Sequence, residues 1–162
     1  MRHLWHITTA CLLVIGCAHA ATTADSSRRV DEFGDVCCDD EKARLDNFAI
    51  ELQKEPHAAG YIVFYGGRLH SDPPCQRSRL RLPRRREAEA RAWRLKHYLV
   101  DTRGVAHERI VVIDGGYRER WTAELWIVPG GATPPSPSPT VKREEIRFRK
   151  GRAVRRDYIC EI

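Results

Sequence analysis

The stretch YLVDTRGVAHERIVVIDGGYRE, residues 98–119, holds a helix end, a connector, a strand and a glycine pair. Tyr98, Leu99 and Val100 close an amphipathic run, and Gly104 stands where a helix C-terminal glycine belongs. RIVVID, residues 109–114, is a short apolar run that reads as a strand. Gly115 and Gly116 then predict a turn with positive φ. A phosphate-binding loop would need G-x-x-x-x-G-K-S/T, or G-x-G-x-x-G opening a helix, and neither is present. The residues after the pair read as another strand, so the pair is structural and function must be sought elsewhere.

REAEARAWRLKHYLVDTRG (86–104) is a helix with Ala88, Ala92, Leu95 and Leu99 as its buried stripe. GYIVFYGG (60–67) is an apolar run bounded by glycines, which predicts a buried strand. DDEKARLDNFAIELQKEP (39–56) is a second helical pattern. Asp39 or Asp40 caps it, acids fill its first turn, Leu45, Phe48, Ala49 and Leu52 share a face, and Pro56 ends it. RWTAELWIVP (120–129) alternates, with Trp121, Ala123, Leu125 and Ile127 on one face. VDEFGDVCC (30–38) supplies a first strand interrupted by Gly34.

The order is strand, helix, strand, helix, strand, strand. It predicts an α+β fold, a two-layer βαβαβ-type sandwich with two helices on a small mixed sheet. The domain spans 30–129, after a loose polar N-terminus at 21–29. GGATPPSPSPTV gives a Pro/Ser-rich linker at 130–141, and residues 142–162 a basic hairpin about Lys150–Gly151, or a tail.

The chain has 162 residues and a formal charge of +6, so one modest domain with an anionic partner is compatible with the bulk numbers. Residues 1–20 read as a signal peptide: a cation in MRHLWH, the short apolar run ITTACLLVIG and a small-x-small AHA cleavage site. VIGC (14–17) offers a competing lipoprotein site at Cys17. On either reading the mature chain belongs outside the cytoplasm, in the periplasm or cell envelope, with a membrane link only through a lipid on Cys17. Cleavage after Ala20 leaves Cys37, Cys38, Cys75 and Cys160 as disulfide candidates. The full pairings left open join Cys37 to Cys75 or to Cys160, and Cys38 to the other. No C-x2-C or H-x3-H spacing supports zinc, so no metal and no cofactor is expected.

These residues carry a resemblance. LDNFAIELQKEP, YIVFYGG and EARAWRLKHYLVDTRGVAHERIVVIDGGYRE resemble the C-terminal peptidoglycan-binding domain of the OmpA family. Glu55–Pro56 matches the family's helix end, and Arg91–Ala92 its Arg-Ala. Tyr98–Leu99–Val100 matches the helix close, Gly104–Val105 the connector and Arg109–Ile110 the strand entry. Gly115, Gly116 and Glu119 loosely match its turn. The resemblance covers about residues 30–128 and implies a cell-envelope protein that binds peptidoglycan. In the family an Asp after the first buried strand and the Arg of the second helix grip diaminopimelate. A zwitterionic head needs an acceptor for its ammonium and a fork for its carboxylate. Arg91 would be the fork. The Asp position holds Arg68, a cation that repels an ammonium, and Asp72 is the nearest substitute.

The remaining feature is a basic patch, Arg77, Arg79, Arg81, Arg84, Arg85 and Arg86, with a second basic run at the C-terminus. Phosphate-bearing envelope polymers or a protein partner fit such charge. Nucleic acid is not expected, because an exported chain seldom meets it and no aromatics interleave with the arginines. His57, His70, His97 and His107 are scattered, and Glu87 and Glu89 lie on different helix faces. No nucleophile–base pair emerges, so the chain reads as a non-enzymatic binding or structural module. The alternative within that class is a divergent adaptor that binds a protein or an anionic envelope polymer through its basic loop and tail.

Overall fold

The computed structural model describes residues 26–71 and 79–155. Within them the chain runs β1 (Arg28–Phe33), α1 (Cys38–Lys54), β2 (Ala59–Ser71), β3 (Leu80–Arg81), α2 (Glu87–His97), β4 (Ile110–Arg120) and β5 (Thr122–Val128). The signal segment with Cys17, and Asp72, Cys75, Arg77 and Cys160, lie outside the described residues.

The fold is α+β, two helices with a five-stranded sheet in which β2 is central. β5 pairs with it antiparallel on one side and β4 parallel on the other, and β1 extends the sheet beyond β5. A parallel neighbour cannot be reached through a tight hairpin, so the chain between β2 and β4 must cross over. α2 makes that crossing.

Both helices bury their stripes on one sheet face. Leu45, Phe48, Ala49 and Leu52 of α1 meet Leu95 and Leu99 of the second helical segment, over Ile62, Ile110, Trp121, Leu125 and Ile127. Each fully buried Leu or Phe contributes roughly 1.5–3 kcal/mol relative to exposure, well above the tenths separating helix propensities. The stripe therefore fixes how each helix sits. Ala88 is only half-buried at the α2 start. Arg94 joins α2 to Glu41 of α1 through Nε–Oε1 at 2.7 Å and a second shorter contact. Arg109 closes the C-terminal end of α1, where Nη2 donates to the carbonyls of Leu52, Glu55 and Ala58 at 2.8–2.9 Å.

Several boundaries differ from the sequence expectation. β1 ends at Phe33, before Gly34, and Val36 packs on the core from outside the strand. α1 is preceded by Cys37 as its N-cap, and Asp39, Asp40 and Glu41 fill the first turn instead of capping. α2 gives way at Tyr98–Thr102 to a π-turn, closed by Gly104 at φ +67° as its glycine position predicts. β2 continues to Ser71, so Arg68 and His70 are strand residues.

The glycine pair does not turn the chain. β4 runs through it to Arg120, and the turn falls between Arg120 and Thr122. Phe64 is opposite Asp114 while Gly66 is opposite Tyr117, so Gly115 and Gly116 together face Tyr65 in a bulge. Gly116 adopts φ +88°, and a Cβ on Gly115 would lie 2.5 Å from the Tyr65 ring. The pair forms a bulge inside a strand where a turn was expected.

The segments expected as a linker and a basic hairpin or tail lie against the domain over their described part. Pro135 is buried, and Ser138 N–H donates to Tyr65 Oη at 3.1 Å. Val141 bridges antiparallel to Tyr117 beside β4. Beyond it, Arg149 N–H donates to Pro83 O at 3.0 Å and Ala153 N–H to Arg85 O at 2.9 Å. The Pro/Ser-rich stretch thus covers the sheet face opposite the helices.

Candidate functional site

Arg91 sits on the inner side of α2 and is 3% exposed. Its Nη1 donates to Asp35 Oδ1 at 2.5 Å and contacts His70 Nδ1 at 2.9 Å. Its guanidinium lies 4.1 Å from the centre of the Trp121 ring, a cation–π contact. Asp35 comes from the bend after β1, and its other oxygen accepts from Ser71 N–H at 2.9 Å. A charge buried this deeply persists only when paired and hydrogen-bonded. Asp35 supplies that pairing from within the fold.

Glu87, the first residue of α2, is also buried. Arg81 holds it with a two-pronged contact, Nη2–Oε1 at 2.6 Å and Nη1–Oε2 at 2.9 Å, and Arg84 N–H adds a bond at 2.8 Å. Burial alone would raise this carboxyl. Arg81, His70 and the Arg84 amide outweigh it and bring Glu87 down to about 2. His70 lies between the two ion pairs, 3.6 Å from Glu87 Oε1 and 3.9 Å from Asp35 Oδ1. Burial and then the Arg91 charge lower it to about 4, and the nearby carboxylates only partly oppose this. The ring is therefore neutral near pH 7. A guanidinium only donates, so Nδ1 accepts from Arg91 and the network assigns the proton to Nε2. That Nε2 has no hydrogen-bond partner.

A cleft of about 50 Å³ lies beside this cluster, between the far half of β2 and the start of α2. His70, Glu87 and Gly66 line it from the domain, and Phe148 lines it from the C-terminal segment. Arg85 stacks on Phe148 at 5.0 Å. α2 starts from Arg86 in the left-handed region, φ 63°, without a side-chain cap. Next to the cleft a wider groove of about 510 Å³ runs between Arg86, Glu89 and Ala90 on one bank and Arg152, Ala153 and Arg155 on the other.

Of the residues singled out as a peptidoglycan site, Arg91 and Arg68 take different partners, and Asp72 lies outside the described residues. Arg91 faces Asp35 and His70 inside the domain. Arg68 pairs on the surface with Glu119 at 2.8 Å. The basic patch is divided: Arg81 turns inward to Glu87, Arg86 pairs with Glu89 at 2.7 Å, Arg85 stacks on Phe148, and Arg79 is exposed. Cys37 and Cys38 are both disulfide-bonded. Asp35, His70 and Phe148 had no role in the sequence reading. The signal for His70 was there, since it shares strand parity with the core residue Ile62 once β2 is extended past Gly67. Nothing in the sequence alone ties Asp35 to Arg91 across the intervening helix and strand.

Among the described residues no His, Cys, Asp or Glu group could hold a metal, and no helix is long and apolar enough to cross a membrane. Compared with known proteins, the chain matches no family model and no curated protein.

Proposed function

We propose that this chain is an exported, non-enzymatic binding module of a bacterial cell envelope, with an OmpA-like domain, that holds a phosphate-bearing envelope polymer in its Arg86–Arg152–Arg155 groove. The OmpA-like part of this reading is supported by the quoted motifs and by two helices covering one face of a mixed sheet. The signal-like N-terminus supports export. One observation carries the ligand. The Ala153–Arg85 hydrogen bond and the Arg85–Arg152 bridge bring together two basic runs that are far apart in sequence. Exposed Arg152 and Arg155 on one bank, and Arg86 on the other once it leaves its surface pairing with Glu89, then suit phosphate oxygens, which guanidinium forks bind well.

A second reading is stem-peptide binding in the family's manner. Its support is the cleft between the end of β2 and the start of α2. Against it, the Arg91 fork is occupied by Asp35.

Co-sedimentation of residues 21–162 with peptidoglycan sacculi, beside polyphosphate binding, tests both readings. The groove reading expects polyphosphate binding that fades with salt and weakens in Arg152→Ala/Arg155→Ala, while Arg91 is untouched. Salt-resistant sacculus binding without polyphosphate binding would replace it with the stem-peptide reading.

A further inference from the structure

The C-terminal segment changes character at Lys142. Up to that point it is fastened to the sheet: Ser138 to Tyr65, Thr140 and Val141 N–H to Tyr117 O at 3.0 Å, and Pro139 against Gly116. Residues 142–145 are exposed and make one short 3-10 turn. Beyond them the backbone bonds to the domain are Arg149 to Pro83 and Ala153 to Arg85, both to the loop that precedes α2. Ile146 and Ala153 are buried, and Phe148 lines the cleft with Arg85 stacked on its ring. Two side-chain contacts stand beside these, Arg143 Nη1 to Tyr117 Oη at 3.1 Å and Arg155 over the Trp93 ring at 5.2 Å. Hydrogen bonds borne by a loop are a physical mark of a segment that opens below the global unfolding free energy.

We propose that residues 142–155 are a latch that closes the His70 cleft through Phe148, and that a phosphate-bearing polymer in the adjoining groove holds it shut. The second half rests on the function proposed above. The geometry couples them directly. Arg152 and Arg155 ride on the latch, whereas Arg86 belongs to the cleft rim at the start of α2. A polyanion that binds arginines on both banks must bind the closed form better than the open one, and that differential affinity is what shifts the equilibrium. Opening would expose the unpartnered His70 Nε2–H at the cleft wall.

Native-state hydrogen exchange on residues 21–162 tests the latch without any ligand. The Arg149 and Ala153 amides are expected to exchange at least about tenfold faster than Ile62 and Leu125 in the sheet. Equal protection at all four overturns the latch. Repeating the measurement with polyphosphate is expected to slow Arg149 and Ala153 about tenfold and to leave the sheet amides unchanged, as differential binding requires. Polyphosphate that binds by titration calorimetry without slowing them overturns the coupling and leaves the groove function standing. Absence of binding overturns the groove function, while the ligand-free exchange still decides the latch.

A chemical readout guards against misfolding. The His70 Nε2–H proton should exchange with solvent slowly in the wild type and about tenfold faster in Phe148→Ala, as the closed population falls. The buried Trp121 Nε1–H serves as an internal control in the same molecule. An unchanged His70 rate, with the sheet amides still protected, overturns the role of Phe148.

Discussion

Asp35 Oδ1 receives Arg91 Nη1 at 2.5 Å, joining the bend after β1 to the middle of α2 beneath the Trp121 ring. Neither charge would be tolerable there alone. Removing one partner of a buried pair typically costs about 3–5 kcal/mol, because the other is left uncompensated. Asp35→Ala should therefore destabilise by that order, measured as a lower urea midpoint with unchanged slope. Asp35→Ala with Arg91→Met should cost less than the sum of the two single changes. Additive losses would mean that Arg91 is stabilised by His70 and Trp121 and not by Asp35.

His70 makes stability depend on pH in a particular window. Its folded pKa is lowered to about 4 from 6.5 by burial and by Arg91, with Arg81 adding and Glu87 and Asp35 opposing. Between those values the unfolded chain binds the proton and the folded chain does not. Stability is thus full above pH 6.5 and falls as the pH drops towards 4, by on the order of 3 kcal/mol. Glu87 acts lower down: its folded pKa of about 2 gives stability that is lost between 4.5 and 2. Urea midpoints at pH 7, 5.5 and 4 should decline in the wild type and decline less in His70→Gln, whose amide oxygen can still accept from Arg91. Parallel slopes in the two proteins would remove His70 as the cause.

The helices, the central strand and the inner faces were legible because each is a local periodicity. The Leu45–Leu52 stripe and the Trp121–Ile127 alternation are both in the core. The buried polar cluster was not legible, since Asp35 comes from the bend after β1, His70 from the end of β2, and Glu87 and Arg91 from α2. Arg81 departs from the basic patch for the same reason. Arg81 looks solvated in sequence, and only the start of α2 reveals the buried Glu87 that it serves. The proline- and serine-rich stretch has linker composition, but its fit on the sheet depends on Tyr65 and Gly116, which no local pattern connects to it.

Gly115 should resist even the smallest side chain. Its Cβ would fall 2.5 Å from the Tyr65 ring, and that ring is pinned by Arg118 stacked at 3.5 Å. Overpacking a fixed neighbour typically costs about 1–3 kcal/mol. Gly115→Ala is expected in that range by urea unfolding, with the Ser138 amide exchanging faster than in the wild type. A loss below about 0.5 kcal/mol, the scale of ordinary surface substitutions, would mean that Tyr65 moves freely.

Tyr65 itself tests whether the proline-rich stretch is held or merely adjacent. Its hydroxyl accepts from Ser138 N–H at 3.1 Å, and Arg118 Nη2 also reaches Ser138 Oγ at 2.8 Å. Tyr65→Phe keeps the ring, its packing and the Arg118 stack while removing only the oxygen. The hydroxyl also donates to Glu124 Oε2 at 3.5 Å, so the loss should be about 1–2 kcal/mol, the usual net worth of one or two such hydrogen bonds. The informative reading is local. Ser138 should lose exchange protection, while Val141, bonded separately to Tyr117, keeps its own. If both amides lose protection together, the stretch releases as one unit and the fastening at Tyr117 depends on Tyr65. If neither does, the cover over the sheet is held by Pro135 burial and the Arg118 contacts, and the tyrosine hydroxyl is dispensable to it.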